Sequence, residues 1–224
     1  MKRSLGYAAA ISLMACAAHA QDTYSFVFGG ATFSSDLDAA GIIGGAPQTV
    51  DTDLDTGFQL GIGVGKTLPR LSSDTIAVRG EVELSYSDAD ADEIFFSGNG
   101  PAAEINVGGD VQTTALFGNL YADFASSGAI SPYVGAGVGI GRVSQDLIYG
   151  PGVRVSDSDT AFGAQLIAGV AWETSETLTW TADVRYRRFF DVESGRFAPT
   201  GASTGEISGD LDSVSLNIGA RFSF

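Results

Sequence analysis

The chain has 224 residues, a formal charge of −15, 44% hydrophobic and 17% charged residues, and 30 glycines. A phosphate backbone demands a basic surface, so this balance excludes nucleic acid as a partner. No apolar run after the N-terminus reaches the roughly 20 residues of a spanning helix, whereas a spanning strand needs only about 9–11.

Met1 to Ala20 read as a secretory signal, which leaves 21–224 as one domain. Lys2 and Arg3 form its positive start and Leu5 to Met14 its apolar middle. Ala18, His19 and Ala20 supply a small-x-small cleavage site. A lipoprotein signal competes for the segment, because Leu13, Met14 and Ala15 precede Cys16, although Met14 is unusual there. Cleavage after Ala20 removes the one cysteine and the one histidine, so the mature chain forms no disulfide. It also removes Lys2 and Arg3, taking the charge from −15 to −17.

Period-two alternation then recurs eight times, the mark of strands with two unlike faces. The first strand, Thr23 to Phe33, has Tyr24, Phe26 and Phe28 on one face. The second, Gly57 to Leu68, sets Phe58, Leu60, Ile62 and Val64 against Gln59 and three glycines. The third, Thr75 to Ser87, sets Ile76, Val78, Val82, Leu84 and Tyr86 against Arg79, Glu81 and Glu83. The fourth, Gln112 to Phe124, opposes Leu116 and Leu120 to Asn119, Tyr121 and Asp123. The fifth, Pro132 to Ser144, opposes Val134, Val138 and Ile140 to Tyr133 and alternate glycines. The sixth spans Ala161 to Trp172. The seventh, Leu178 to Phe189, opposes Trp180, Val184 and Tyr186 to Asp183, Arg185 and Arg187. The eighth, Ser213 to Phe224, alternates without a break and ends on an aromatic.

The connections alternate in length. Residues 34–56, 88–111, 145–160 and 190–212 read as long loops; 69–74, 125–131 and 173–177 read as short turns. All long loops therefore lie at one end of the sheet and both termini at the other. This is the up-and-down asymmetry of outer-membrane barrels, with long loops outside and tight turns in the periplasm. A lipocalin-like soluble barrel has the same alternation with its apolar face inward. Three features point that face outward. The polar face is crowded with glycine and charges of both signs. Trp172, Trp180, Tyr186, Phe124 and Phe222 fall near strand ends, as aromatic girdles do. The last residue is Phe224. The expected fold is all-β: an eight-stranded antiparallel up-and-down transmembrane β-barrel in the outer membrane of a Gram-negative cell.

The segment SPYVGAGVGIGRV, Ser131 to Val143, resembles a strand motif of the eight-stranded outer-membrane β-barrel proteins. That family includes the transmembrane domain of outer membrane protein A and the small porin-like surface antigens of proteobacteria. The likeness extends to VRGEVELSYS (Val78 to Ser87), LFGNLYADF (Leu116 to Phe124) and the closing SVSLNIGARFSF. It implies roles in envelope integrity, surface antigenicity and host contact. It also gives the strand ending in Phe224 a second role, as the signal read by the barrel assembly machinery. Outer membrane protein A continues into a peptidoglycan-binding domain that finds no counterpart among these residues, so that role is not carried over.

The inward list holds Arg79, Arg185, Arg187 and Arg221 against Glu81, Glu83, Asp123 and Asp183. Unpaired charge in so narrow an interior is costly, so these eight are expected to pair. Eight strands leave room only for side chains. A plug of ion pairs, with water pockets beside the glycines, is the first expectation; an ion pathway, making the chain a low-conductance porin for small solutes, is the alternative.

The four long loops hold nineteen acidic residues and two basic ones, Arg154 and Arg196, and so account for the whole mature charge. A solvated, repulsive rim is the plain reading. Asp51, Asp53 and Asp55 are candidate ligands for a divalent cation, although the EF-hand pattern fails because Ile62 stands where its Glu is needed. Cations could also bridge the rim to lipopolysaccharide. Residues 88–111 read as a projecting hairpin whose Ile94, Phe95 and Phe96 either contact a partner or pack within it. No enzyme and no cofactor are expected. The mature chain lacks a histidine base and a thiol, and GVGIGR at Gly137 to Arg142 is a strand face rather than a phosphate loop.

Overall fold

The computed structural model describes residues 23–43, 45–97, 107–149 and 153–224. The strands are β1 (Thr23–Ile43), β2 (Ala46–Leu54), β3 (Gly57–Thr67), β4 (Ile76–Ser97), β5 (Val107–Phe124), β6 (Ile130–Tyr149), β7 (Val153–Ser175), β8 (Leu178–Phe197) and β9 (Ser203–Ser223). One 3-10 turn, Pro69–Leu71, lies between β3 and β4. The sheet closes where β1 pairs with β9, from Tyr24 opposite Ser223 to Gly41 opposite Ile207. Nine strands make eight staves. β2 and β3 each pair with β1 on one side and β4 on the other, so they form one stave broken at Asp55 and Thr56. The eight-stranded up-and-down barrel expected from the alternation is what the chain forms.

The expected long loops are not loops. β1 and β4 to β9 run for 18 to 23 residues, about twice what a bilayer needs. Among the described residues they, together with β2, carry the ladder through most of 34–56, 88–111, 145–160 and 190–212. Acid-rich composition disguised these stretches. Their alternation persists, with polarity reversed. On β6 the inward face passes from Gly139 and Gly141 to Val143, Gln145 and Leu147, all buried, while Arg142 and Asp146 point out.

The barrel is therefore inside-out from one half to the other. In the half nearest the short turns, Leu60, Val82, Leu116, Leu120, Val138, Leu166, Val184 and Ile218 are exposed. Glu83, Asn119, Gln165, Arg185 and Asn217 are buried within. In the distal half, Leu37, Val50, Leu54, Val111, Leu147, Val155, Val192, Ile207 and Leu211 join Phe117 and Phe189 in one buried apolar cluster. Two irregularities help the switch. A register shift between Thr32 and Ser34 moves the inward face of β1 from even to odd positions. On β8 the shift between Phe189 and Val192 encloses Asp191, held at φ 51.

Tyr24, Phe26 and Phe28 face inward and are buried, against the expectation that the apolar face meets lipid on every strand. They lie opposite Gly65, Gly63 and Gly61 of β3. A Cβ at Gly61 would sit 2.2 Å from the Phe28 ring, and one at Gly65 2.4 Å from that of Tyr24. The glycine column is the recess that receives the aromatic column, a known device for pinning register. This also corrects the expectation of water beside the glycines: rings occupy that space.

Exposed aromatics mark both edges of the apolar belt. Phe124, Trp180 and Phe222 lie toward the turn end. Phe58 with Tyr86, ring centroids 6.0 Å apart, and Phe162 with Phe190, 6.1 Å apart, lie toward the distal end. From Phe162 to Trp172 the strand rises roughly 33 Å, or roughly 25 Å along the barrel axis at a tilt near 40°, the height of a lipid-facing band.

Candidate functional site

The lumen of the turn-end half holds one connected set of charged and amide side chains. Strand alternation aims them inward in successive layers, from Arg79 and Asp123 at the turn-end funnel to Glu83, Gln165 and Arg187 deeper in. Glu83, fully buried, is its centre. It accepts Arg185 Nη1 at 2.7 Å, Arg187 Nη2 at 3.2 Å and Asn119 Nδ2 at 3.1 Å. Arg185 also clasps Asp183 with Nε and Nη2, at 2.7 and 3.3 Å. Arg79 pairs with Glu81 through a short contact and with Asp123 at 2.7 Å.

Uncharged groups complete the set. Tyr24 and Tyr133 donate to Glu81 and Asp183 at 2.7 and 2.8 Å. Gln165 accepts Arg187 and donates to Asn119 at 2.7 Å. Gln59 donates to Asn217 and Ser215. The guanidinium of Arg79 lies 3.7 Å over the Tyr121 ring, that of Arg185 3.8 Å over Phe28 and that of Arg187 4.8 Å over Phe117. All eight staves contribute a side chain.

Three of the four arginines expected to pair thus meet the four carboxylates. Arg221 does not: among the described residues it makes no ion pair. It sits half-buried at the turn-end mouth, 5.0 Å over the ring of Tyr133 and 5.9 Å over that of Tyr24. Water reaches it there, so it escapes the penalty that forces deeper charges to pair. The uncharged partners escaped the sequence reading because an inward Gln or Tyr carries no charge to flag it. Their shared parity with Arg185 and Glu83 was the available signal.

Little space remains. Two interior voids, one beside Gln59, Arg187 and Phe189 and one beside Arg79, Asp183 and Arg221, measure about 20 Å³ each, room for about one water. A funnel of about 380 Å³ opens at the turn end and stops at Arg79, Asp123 and Arg221. Above the charged layer the rings of Phe117 and Phe189 pack 5.9 Å apart at the base of the distal apolar cluster.

The outer face of the distal half is acidic. Asp38 stands opposite Asp51 and Asp210; Asp110 stands opposite Asp90 and Asp146. Arg188 relieves one corner, with Asp212 bound by Nε at 2.7 Å and Nη2 at 2.5 Å. These hydrogen bonds hold the Asp212 carboxyl below the ordinary carboxylate range. Asp51 and Asp53 lie on this face of β2, and Asp55 in the break after it. Among the described residues no group of three or more potential metal ligands occurs. The apex of the 88–111 hairpin, 98–106, lies outside the described residues.

Between β7 and β8 the ladder is interrupted from Val155 to Phe162. Asp159 Oδ2 accepts the backbone N–H of Glu193 at 3.0 Å, and Asp157 Oδ2 that of Gly195 at 3.3 Å. Two carboxylates thus replace missing rungs of the sheet.

A closed barrel with an apolar outer belt, aromatic edges and a charged interior is a transmembrane β-barrel. This chain belongs to the outer membrane protein beta-barrel domain family, whose model matches residues 8–224, and it resides in the cell outer membrane. Among solved structures it is similar to the outer membrane protein OprG from Pseudomonas aeruginosa: 15% identity, 91% of this chain and 97% of that one covered, TM-score 0.56. It is also similar to the outer membrane protease OmpT from Escherichia coli, at 8% identity, 90% and 97% coverage and TM-score 0.56. Neisserial surface protein A (NspA) aligns at 16% identity, 89% and 97% coverage and TM-score 0.44. Likeness at these identities is a likeness of fold. No curated protein sequence matches the chain.

Proposed function

We propose that this protein is a closed, non-enzymatic barrel that presents an acidic, strand-built extension at the cell surface and contributes to envelope integrity and surface contacts. The observation that carries the reading is the filled interior: a charge network touching every stave, then an apolar core. Such a lumen supports a scaffold better than a pore. The acidic rows support the surface role. Like charges directly opposite on a sheet cost stability, and a domain selected only for stability would not repeat them on several staves. Lipopolysaccharide, through bridging cations, and host surfaces are the partners this face suits. Lipid surrounds the belt. The exposed Phe222 and Phe224 at the end of β9 suit recognition by the barrel assembly machinery.

Labelling intact cells with a membrane-impermeant maleimide tests the orientation. Thr200→Cys, in the exposed distal turn, is expected to react, and Ser127→Cys, in a short turn, to react only after lysis. The reverse pattern would refute surface presentation.

A further inference from the structure

We propose that a groove on the outer face of β3, β4 and β5 binds one anionic glycerophospholipid from the leaflet at the turn end. The groove measures about 520 Å³. Val64, Val82 and Leu120 form its sides, Gly80 and Gly118 its floor, and Lys66 lies at one end.

The two floor glycines differ from those inside the barrel. A Cβ at Gly118 would meet nothing nearer than 3.9 Å, and one at Gly80 nothing nearer than 3.6 Å. Inward packing does not require glycine at either place. Their effect is outward: they lower the surface where neighbouring positions carry branched side chains, leaving a trough fit for an acyl chain.

Charge selects the headgroup. Lys66 is exposed on the outer face, opposite Thr23 and Gly80, at the edge of the belt. Arg70 is exposed four residues on, in the 3-10 turn. The other basic residues of this end, Arg79 and Arg221, face the lumen, and the other two short turns carry no basic residue. The exposed cations of the turn end are thus Lys66, which lines the groove, and Arg70 in the turn that joins β3 to β4. Lys66 lies where a lysine stem runs along apolar surface and its ammonium reaches headgroup phosphate. A second copy of the barrel is the competing occupant. A two-fold contact through this groove would bring Lys66 and Arg70 of both copies together, whereas a phosphate neutralises them. With the short turns in the periplasm, the lipid belongs to the inner leaflet. It would brace β3, the 11-residue part of the one broken stave.

Native mass spectrometry of the folded, full-length barrel tests the site, with phosphatidylglycerol and phosphatidylcholine supplied at equal concentration. The wild type is expected to retain one phosphatidylglycerol, about tenfold over phosphatidylcholine. Gly118→Leu, which fills the groove, should lose bound lipid of both kinds. Lys66→Gln with Arg70→Gln should keep a lipid but lose the preference. Gly80→Val repeats the filling test from the neighbouring stave should Gly118→Leu fold poorly. Unchanged phosphatidylglycerol retention in the filled variants would overturn the proposal. So would a wild-type dimer that Gly118→Leu converts to monomer, since the groove would then belong to a second copy.

Discussion

Replacing Glu83 by Gln tests the energetic role of the lumenal network. The two side chains have nearly the same volume, so no cavity opens. Glu83 is fully buried and holds two guanidiniums, Arg185 at 2.7 Å and Arg187 at 3.2 Å, besides the Asn119 amide. Gln keeps one carbonyl acceptor and turns an N–H pair toward groups that are themselves only donors. Arg185 still has Asp183. Among the described residues Arg187 meets no second carboxylate and keeps only the Gln165 carbonyl at 3.0 Å. Removing one partner of a buried ion pair costs about 3–5 kcal/mol, and the retained polar contacts put the expected loss near the lower end, about 3 kcal/mol. Urea unfolding of the refolded barrel in vesicles, read by the fluorescence of Trp172 and Trp180, measures it. Adding Arg187→Met to Glu83→Gln removes the stranded cation and should restore at least half of the loss. A Glu83→Gln barrel within about 1 kcal/mol of wild type, with no coupling to Arg187→Met, would refute the network as a stabilising plug.

Gly63→Val is expected to block folding or shift β1 against β3, because its Cβ would lie 2.2 Å from the Val82 carbonyl oxygen and 2.5 Å from the Phe26 ring; heat-modifiable gel mobility reports it. Asp157→Ala with Asp159→Ala removes the carboxylates that bridge β7 and β8, so amide hydrogen exchange should accelerate at Glu193 and Gly195 and little elsewhere. Asp212→Asn probes the distal acidic face. A carboxyl whose folded pKa is depressed contributes stability above its unfolded value, near 3.9, and loses it as pH falls through the folded value. The variant should therefore unfold at lower urea than wild type at pH 7, with the deficit fading below about pH 4.

The fold was legible in the sequence where one face was apolar and the other polar, as in Gln59 to Val64 or Val82 to Tyr86. It was hidden where the pattern inverted. Val50 to Leu54 alternates buried and exposed side chains as strictly as any membrane strand, and Gln145 to Leu147 does the same, but their acids suggested loops. The physical reason is a change of solvent along the barrel: lipid selects apolar residues outside, and beyond it water selects them inside. Tyr24, Phe26 and Phe28 misled for a related reason. An aromatic face reads as lipid-facing, yet the glycines of β3 had already prepared a recess for it, and only the β1–β3 register joins the two. The charged members of the lumenal set were visible as inward residues. Arg221 was placed with them correctly by parity, but depth, which decides whether a charge must pair, is not written in alternation.

Planar-bilayer recording tests the central claim most directly. A lumen filled by the Glu83–Arg185–Arg187 network and sealed by Phe117 and Phe189 predicts no steady single-channel steps from the refolded protein across the accessible voltage range. Discrete, reproducible steps whose size changes with Arg185→Ala would show a continuous aqueous path through that layer and contradict it.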